Sequence, residues 1–170
     1  AYNRALELKE ERGYTFVHPF DDEYVISGQG TIGLEIMNEM SDVDAVIVPI
    51  GGGGLISGVA CAIKSISPHV KVYGVQAAGA PSMFNAVNHG HMEALEKVST
   101  IADGIAVKKP GDLTFELCQR YVDEIVTVGE DEIASAILAL MAGQKTVAEG
   151  AGATPVAACM FGKVDTSEKK

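Results

Sequence analysis

The stretch Ala45-Val46-Ile47-Val48-Pro49-Ile50-Gly51-Gly52-Gly53-Gly54-Leu55-Ile56 decides how this chain folds. Residues 45–50 form a short, β-branched apolar run that reads as a buried strand, with Pro49 near its end. Beyond the glycines, Ile56, Val59, Ala60, Ile63 and Ile66 recur at helical spacing. Glycine reaches backbone angles closed to other residues and carries no side chain to hold a ligand away. The first turn of a helix adds unpaired N–H groups and a partial positive charge. A plain strand–helix turn needs only two glycines, and further ones carry an entropic cost. The stretch therefore predicts a cradle in which the backbone from Gly51 to Leu55 binds a small phosphorylated ligand.

The ligand is not a Walker-type nucleotide, because no Gly-Lys-Ser/Thr closes the loop. It is a poor fit to a dinucleotide as well. The third glycine of that fingerprint falls on Ile56 or Ser57, and the next strand, around Val70 to Val75, ends at Gln76 where a ribose-binding acid belongs. A single phosphate monoester suits the loop better, and a nucleotide-type binder is the disfavoured alternative.

Upstream, Tyr2, Ala5 and Leu6 share one face of a helix stopped by Gly13. Tyr14 to Val17 is a candidate strand and residues 18–22 a loop. Gly28-Gln29-Gly30-Thr31 opens a second helix bearing Ile32, Ile36, Met37 and Met40. Downstream, the helix over 55–67 and the strand after Pro68 complete a βαβ unit, hence a parallel sheet with a right-handed crossover. Leu113, Leu117, Cys118 and Tyr121 mark a helix, and Glu124 to Val128 a strand. Ile133, Ala136, Ile137, Leu140 and Met141 give the most regular helix. Val147-Ala148 is expected as a short strand before Gly150-Ala151-Gly152, with a last helix from Thr154 to Phe161. The alternation indicates an α/β fold of three layers around a parallel sheet. Ligands of such folds sit at the carboxyl ends of strands, where the glycine run falls.

At 170 residues the chain is one domain or most of one, and 47% hydrophobic content sustains a core. No apolar run approaches a membrane span. A net charge of −10, with acids and bases scattered, argues against nucleic acid and anionic membranes as partners. Cys61, Cys118 and Cys159 are odd in number and lie on apolar helix faces. They read as buried, reduced thiols of a cytoplasmic protein. Residues 165–170 read as a polar tail.

Separated motifs then carry a resemblance. HPFDDEYVISGQGTIGLEI (residues 18–36), GGGGLISG (51–58), TIADGIAVKKPGDLTFELC (100–118) and AEGAGATPVAA (148–158) together resemble the threonine dehydratases, or threonine ammonia-lyases, among the fold-type II pyridoxal-phosphate enzymes. The likeness runs from about Tyr2 to Phe161. It implies the end of a small domain over 1–20 and most of a large cofactor-binding domain, an incomplete one, over 21–170. It implies pyridoxal 5'-phosphate as cofactor and an amino-acid substrate. The reaction implied is L-threonine, and L-serine with it, to a 2-oxo acid and ammonia, in amino-acid metabolism such as isoleucine biosynthesis. A homo-oligomer is implied too.

By the same resemblance the amides of Gly51, Gly52, Gly53, Gly54 and Leu55 bind the cofactor phosphate. Gly104, in Ala102-Asp103-Gly104, lies against cofactor and substrate, and Glu149 lies near the cofactor ring. As plain chemistry, Asp103-Gly104 is also a common turn pair, and Glu149 is equally a helix N-terminal acid. The racemase branch of the family binds a divalent metal at positions matching Gln76, Ala80 and Ser82. Neutral groups replace its carboxylates here, so no metal is expected. His89, His91 and Glu93 fit no zinc spacing and read as a surface loop, and His18 reads as a loop cap. The family's Schiff-base lysine lies in a motif this sequence lacks. Lys64, Lys71, Lys108 and Lys109 stand in other contexts. The chain, beginning at Ala1, is thus expected to be an internal piece of such an enzyme, inactive alone. The alternatives are a non-catalytic phosphate-binding module and an enzyme of the serine racemase or serine dehydratase type.

Overall fold

The computed structural model describes residues 2–167 and 170. Ala1 and, from the expected polar tail, Glu168 and Lys169 lie outside the described residues. Three parallel strands, β1 (Ala45–Pro49), β2 (Lys71–Ala77) and β3 (Glu124–Val128), form a sheet in the order β1-β2-β3. Val46 faces Val72 and Pro49 faces Val75, and on the other side Tyr73 faces Glu124 and Ala77 faces Val128. Pro49, which has no N–H to give a ladder, closes an edge strand. The helices are α1 (Tyr2–Arg12), α2 (Glu23–Glu39), α3 (Gly54–Ile66), α4 (Ser82–His89), α5 (Asp112–Tyr121), α6 (Glu130–Ala139) and α7 (Gly150–Met160). A 3₁₀ turn spans Asp103–Ile105, and a π-helical turn, Leu140–Gln144, prolongs α6.

The sheet is covered on both faces. Val72 joins Met37, Ile56, Val59, Ile63 and Cys118 of α2, α3 and α5 in one apolar cluster. Its strand neighbours Tyr73, Val75 and Ala77 join Ile133, Ala136 and Ala157 of α6 and α7 in the other. Successive strand residues point to opposite faces, so β2 is apolar throughout because each of its faces meets a helix layer. The three-layer parallel architecture is as expected. Close approach of α2 to α3 explains glycines inside helices: a Cβ on Gly33 would sit 2.9 Å from the Val59 carbonyl oxygen.

Several expectations are corrected. α2 begins at Glu23, not Gly28, because the Asp22 carboxylate accepts the N–H groups of Tyr24 (2.9 Å) and Val25 (3.1 Å) as its cap. Tyr14 to Val17 pairs with no strand among the described residues, and Tyr14 and Val17 stand exposed. Val147-Ala148 is not a strand either; Val147 is 81% exposed and meets no sheet edge. α7 starts at Gly150, four residues before Thr154. Its internal Pro155 lacks the N–H that Ala151 O needs, and the Thr154 hydroxyl donates to that carbonyl instead at 2.8 Å. α4 was not foreseen. Of the thiols only Cys118 is buried; Cys61 is half-buried and Cys159 exposed, and none is paired.

The sheet's far end is tied by charge. Lys64, largely buried, donates to Val70 O (2.7 Å) and to Asp123 Oδ2 (2.6 Å), and Lys71 reaches Asp123 Oδ1 at 2.8 Å. Burial pushes the Asp123 carboxyl up. The hydrogen bonds from Lys64, Lys71 and the Val72 N–H together outweigh burial and hold it below its ordinary 3.8. A carboxylate depressed on folding stabilises fully above its unfolded pKa and loses that contribution as pH falls through the folded value. Asp123→Asn should therefore lower stability by roughly 1–3 kcal/mol at neutral pH, and by progressively less as pH falls below 3.8 and through the depressed folded value. Urea melts across that range check this. An equal loss at both pH values would refute the ionic account.

Candidate functional site

At the carboxyl ends of the strands lies a cavity of about 620 Å³ lined by the whole glycine run, Leu55, Phe20, Gly104, Ile105 and Glu149. All the residues expected at the site, Gly51 to Gly54, Leu55, Gly104 and Glu149, thus meet around one space. The cavity forms where β1 ends. Ile50 N–H still donates to Val75 O at 2.8 Å, and the chain then leaves the sheet. Among the described residues, the N–H groups of Gly51 through Leu55 have no acceptor. The first bond of α3 runs from Ser57 N–H to Gly53 O at 3.0 Å, which leaves the earlier amides as its free N-terminal donors. An unpaired buried N–H is costly, so this row is suited to an anion.

Gly53 has φ +101°, in the left-handed region, where a side chain is strained. Space forbids one as well. A Cβ on Gly53 would lie 2.7 Å from Met83 Cε and 2.8 Å from Thr114 Cβ, and a Cβ on Gly52 would overlap the Phe20 ring. Only Gly51 among the first three has looser neighbours, with Ile105 Cα at 3.1 Å from its would-be Cβ.

A second helix N-terminus faces the same cavity. Glu149 is the N-cap residue of α7, yet its side chain makes no cap hydrogen bond. Its Oε1 lies 3.4 Å from where a Gly104 Cβ would be, and Ala151 Cβ lies 3.3 Å from it. The carboxylate thus lies beside Gly104 in the cavity lining. It is the one ionisable side chain in the lining. No lysine lines the cavity among the described residues. Lys64 and Lys71 hold Asp123, Lys108 donates to Glu96 O at 2.9 Å, and Lys109 lies 3.9 Å from Asp112.

Three neighbours escaped the sequence reading. Phe20 walls the cavity and is held edge-on by His18, ring centroids 4.7 Å apart at 87°. His18 Nδ1 also accepts Asp21 N–H at 2.8 Å, the loop-capping role expected of it. Asp21 reaches α5, and Thr114 of α5 reaches Gly52. The doubled aspartate in HPFDDEY was the available signal, since one helix needs one cap. Elsewhere, Gln76 is buried, donating to Ile50 O (3.2 Å) and accepting Phe84 N–H (2.8 Å), while the Ser82 hydroxyl is buried without a partner among the described residues. His91 pairs with Glu93 at 2.9 Å on the exposed surface. Among the described residues no three His, Cys, Asp or Glu side chains gather as a metal site, and no helix is long and apolar enough to cross a membrane.

A strand–glycine–helix cradle inside a three-layer parallel fold is the architecture of a cofactor-phosphate domain. The family model for pyridoxal-phosphate dependent enzymes matches residues 1–170, and the chain belongs to that family. It is 59% identical over 170 residues to an L-threonine ammonia-lyase of Thermotoga maritima, covering all of this chain and 42% of that protein. Among solved structures it resembles the processed threonine deaminase isoform 2 of Solanum lycopersicum, with TM-score 0.91, 43% identity, and 96% and 49% of the two chains covered. It also resembles maize serine racemase, with TM-score 0.90, 35% identity, and 94% and 50% covered. The chain thus spans about half the length, or less, of these relatives.

Gly53→Ala should cost roughly 1–3 kcal/mol of stability, whereas Gly104→Ala, with ordinary φ and contacts no closer than 3.3 Å, should cost less than about 1 kcal/mol. Thermal melts of the two variants side by side test this. Equal losses would mean the backbone at Gly53 is not under the constraint described.

Proposed function

We propose that the chain is the cofactor-binding part of a pyridoxal-phosphate enzyme that deaminates L-threonine, and L-serine with it, to a 2-oxo acid and ammonia. The observation that carries this reading is the row of unpartnered N–H groups from Gly51 to Leu55 at the mouth of a cavity sized for a small ligand. The residues present fit the cofactor. The amides suit a phosphate monoester, and the apolar side chains of Phe20, Ile105 and Val107 suit a flat ring. When bound, pyridoxal phosphate supplies the electron sink for a carbanion at the substrate α-carbon.

In this reading Gly51, Gly52, Gly53, Gly54 and Leu55 bind the phosphate, Gly104 lets ring and substrate approach closely, and Glu149 orients the ring from the N-terminus of α7. The base that removes the α-proton is not among these residues. A lysine outside this sequence is assigned that role, so these 170 residues alone should not deaminate threonine. Gln76 and Ser82 offer no carboxylate to a divalent cation, and Gln76 spends its amide on Ile50 and Phe84. That favours an ammonia-lyase over a racemase of the metal-binding kind. We further assign residues 1–20 to the end of a smaller domain, in keeping with an α1 that buries no residue, and 21–170 to the large domain. The unpaired thiols fit a cytoplasmic enzyme, and by its resemblance we read the parent enzyme as a homo-oligomer.

The test is a full-length polypeptide of the relatives' span carrying this sequence, given pyridoxal phosphate and L-threonine. Release of 2-oxobutanoate and ammonia is expected. Conversion of L-serine to D-serine without 2-oxo acid would replace this reading with the racemase one. Tight cofactor binding with no turnover of either amino acid would leave a non-catalytic phosphate-binding module.

A further inference from the structure

Asp21 and Asp22 are neighbours in sequence but cap different helices. Asp22 caps α2, whereas Asp21 turns the other way and accepts the N–H groups of Asp112 (3.0 Å) and Thr114 (3.1 Å), the first turn of α5, 91 residues ahead. α5 has no cap of its own, because its N-cap position is Gly111. The reason for glycine there is steric, since a Cβ on Gly111 would overlap the Asp21 carboxyl. The cap is thus supplied from a distant segment, with a carboxylate where a helix dipole favours one.

The fixed turn of α5 carries Thr114, which is fully buried. Its hydroxyl accepts Gly111 N–H at 3.1 Å and donates to Gly52 O at 2.6 Å. Gly111 N–H also lies 3.4 Å from the same carbonyl. In a planar trans peptide the C=O and the following N–H point in opposite directions. Pinning the Gly52 carbonyl toward α5 therefore turns the Gly53 N–H away from it, toward the cradle. Without the Thr114 bond, only the longer contact from Gly111 N–H holds the Gly52 carbonyl, and two glycines in succession resist a peptide flip weakly.

We propose that Thr114 and Asp21 are positioning residues for the phosphate cradle: Asp21 fixes the N-terminus of α5, and Thr114 sets the orientation of the Gly52–Gly53 peptide so that its N–H serves the ligand. The proposal rests on the cofactor reading given above and names residues that reading does not use. Neither residue touches the ligand in this scheme; both act through the backbone.

The experiment is equilibrium binding of 4'-deoxypyridoxine 5'-phosphate and of 4'-deoxypyridoxine to the full chain. Neither compound has an aldehyde to react with lysines, and they differ only in the phosphate. Thr114→Val keeps the shape and removes the hydroxyl. It should weaken the phosphorylated compound about tenfold and leave the ratio for the unphosphorylated one unchanged. Thr114→Ser should restore binding. Asp21→Ala, a change at a half-buried position, should weaken the phosphorylated compound in the same selective way, and it carries the test should Thr114→Val fail to fold. Unchanged affinity in the folded variants, or equal weakening for both compounds, would overturn the positioning role while leaving the cofactor reading intact. If the unmodified chain binds neither compound, the cofactor reading fails first and the positioning role with it.

Discussion

Four glycines in a row have no side chains with which to hold their own shape, so the atoms that hold them must come from elsewhere in the fold. Phe20 lies against Gly52 and Gly54, Ile105 against Gly51, and Met83 and Thr114 against Gly53. These residues come from the loop before α2, from the 3₁₀ turn, from α4 and from α5. The elements around the cavity thus act as the missing side chains of one loop. The backbone entropy given up there is offset by packing that is spread over the whole chain.

The charge arrangement follows from the same choice. A protein of net charge −10 that is to hold a phosphate would be expected to place an arginine or lysine beside it. The cavity lining contains neither among the described residues, and its one ionisable side chain is the acid Glu149. What the cavity offers an anion, in the reading proposed here, is a set of dipoles: free amides at the start of α3 and the N-terminus of α7 beyond. Such donors do not titrate, so their readiness for an anion does not depend on pH. This arrangement also leaves Glu149 free of a cationic partner in the lining.

How much of this was legible in the sequence depended on the range over which each signal acts. β1, the glycine run and α3 were readable because their causes are local: a β-branched run, four glycines, an apolar stripe at helical spacing. The start of α2 differs from the sequence expectation because the glycines at 28 and 30 look like a boundary, whereas the short-range signal is Asp22 with its cap. The tight fit of Gly30 and Gly33 against α3 involves a partner helix the local sequence does not name. α4 was missed for a similar reason. Its segment Ser82–His89 has no strong helix formers beyond Met83 and Ala86, and these are buried against other elements. Gly104 and Glu149 came from a resemblance, and the structure brings them to the glycine run. The link from Asp21 through Thr114 to Gly52 lay beyond any local reading, for it joins residues 93 and 62 positions apart.

That link also explains why the HPFDDEY segment is built as it is. Asp22 fixes α2, which packs along α3, and the first turn of α3 is part of the cradle. Asp21 fixes α5, whose Thr114 grips the Gly52 carbonyl. Phe20, one residue earlier, lies on Gly52 and Gly54, and His18 holds both the Phe20 ring and the Asp21 amide. Four residues of the segment 18–22 thus bear on the cradle by three routes: through a ring, through a helix in front and through a helix behind. A displacement of residues 18–22 would disturb both caps and the ring contact together. The geometry of the glycine loop is therefore coupled to the short segment that joins α1 to the rest of the fold.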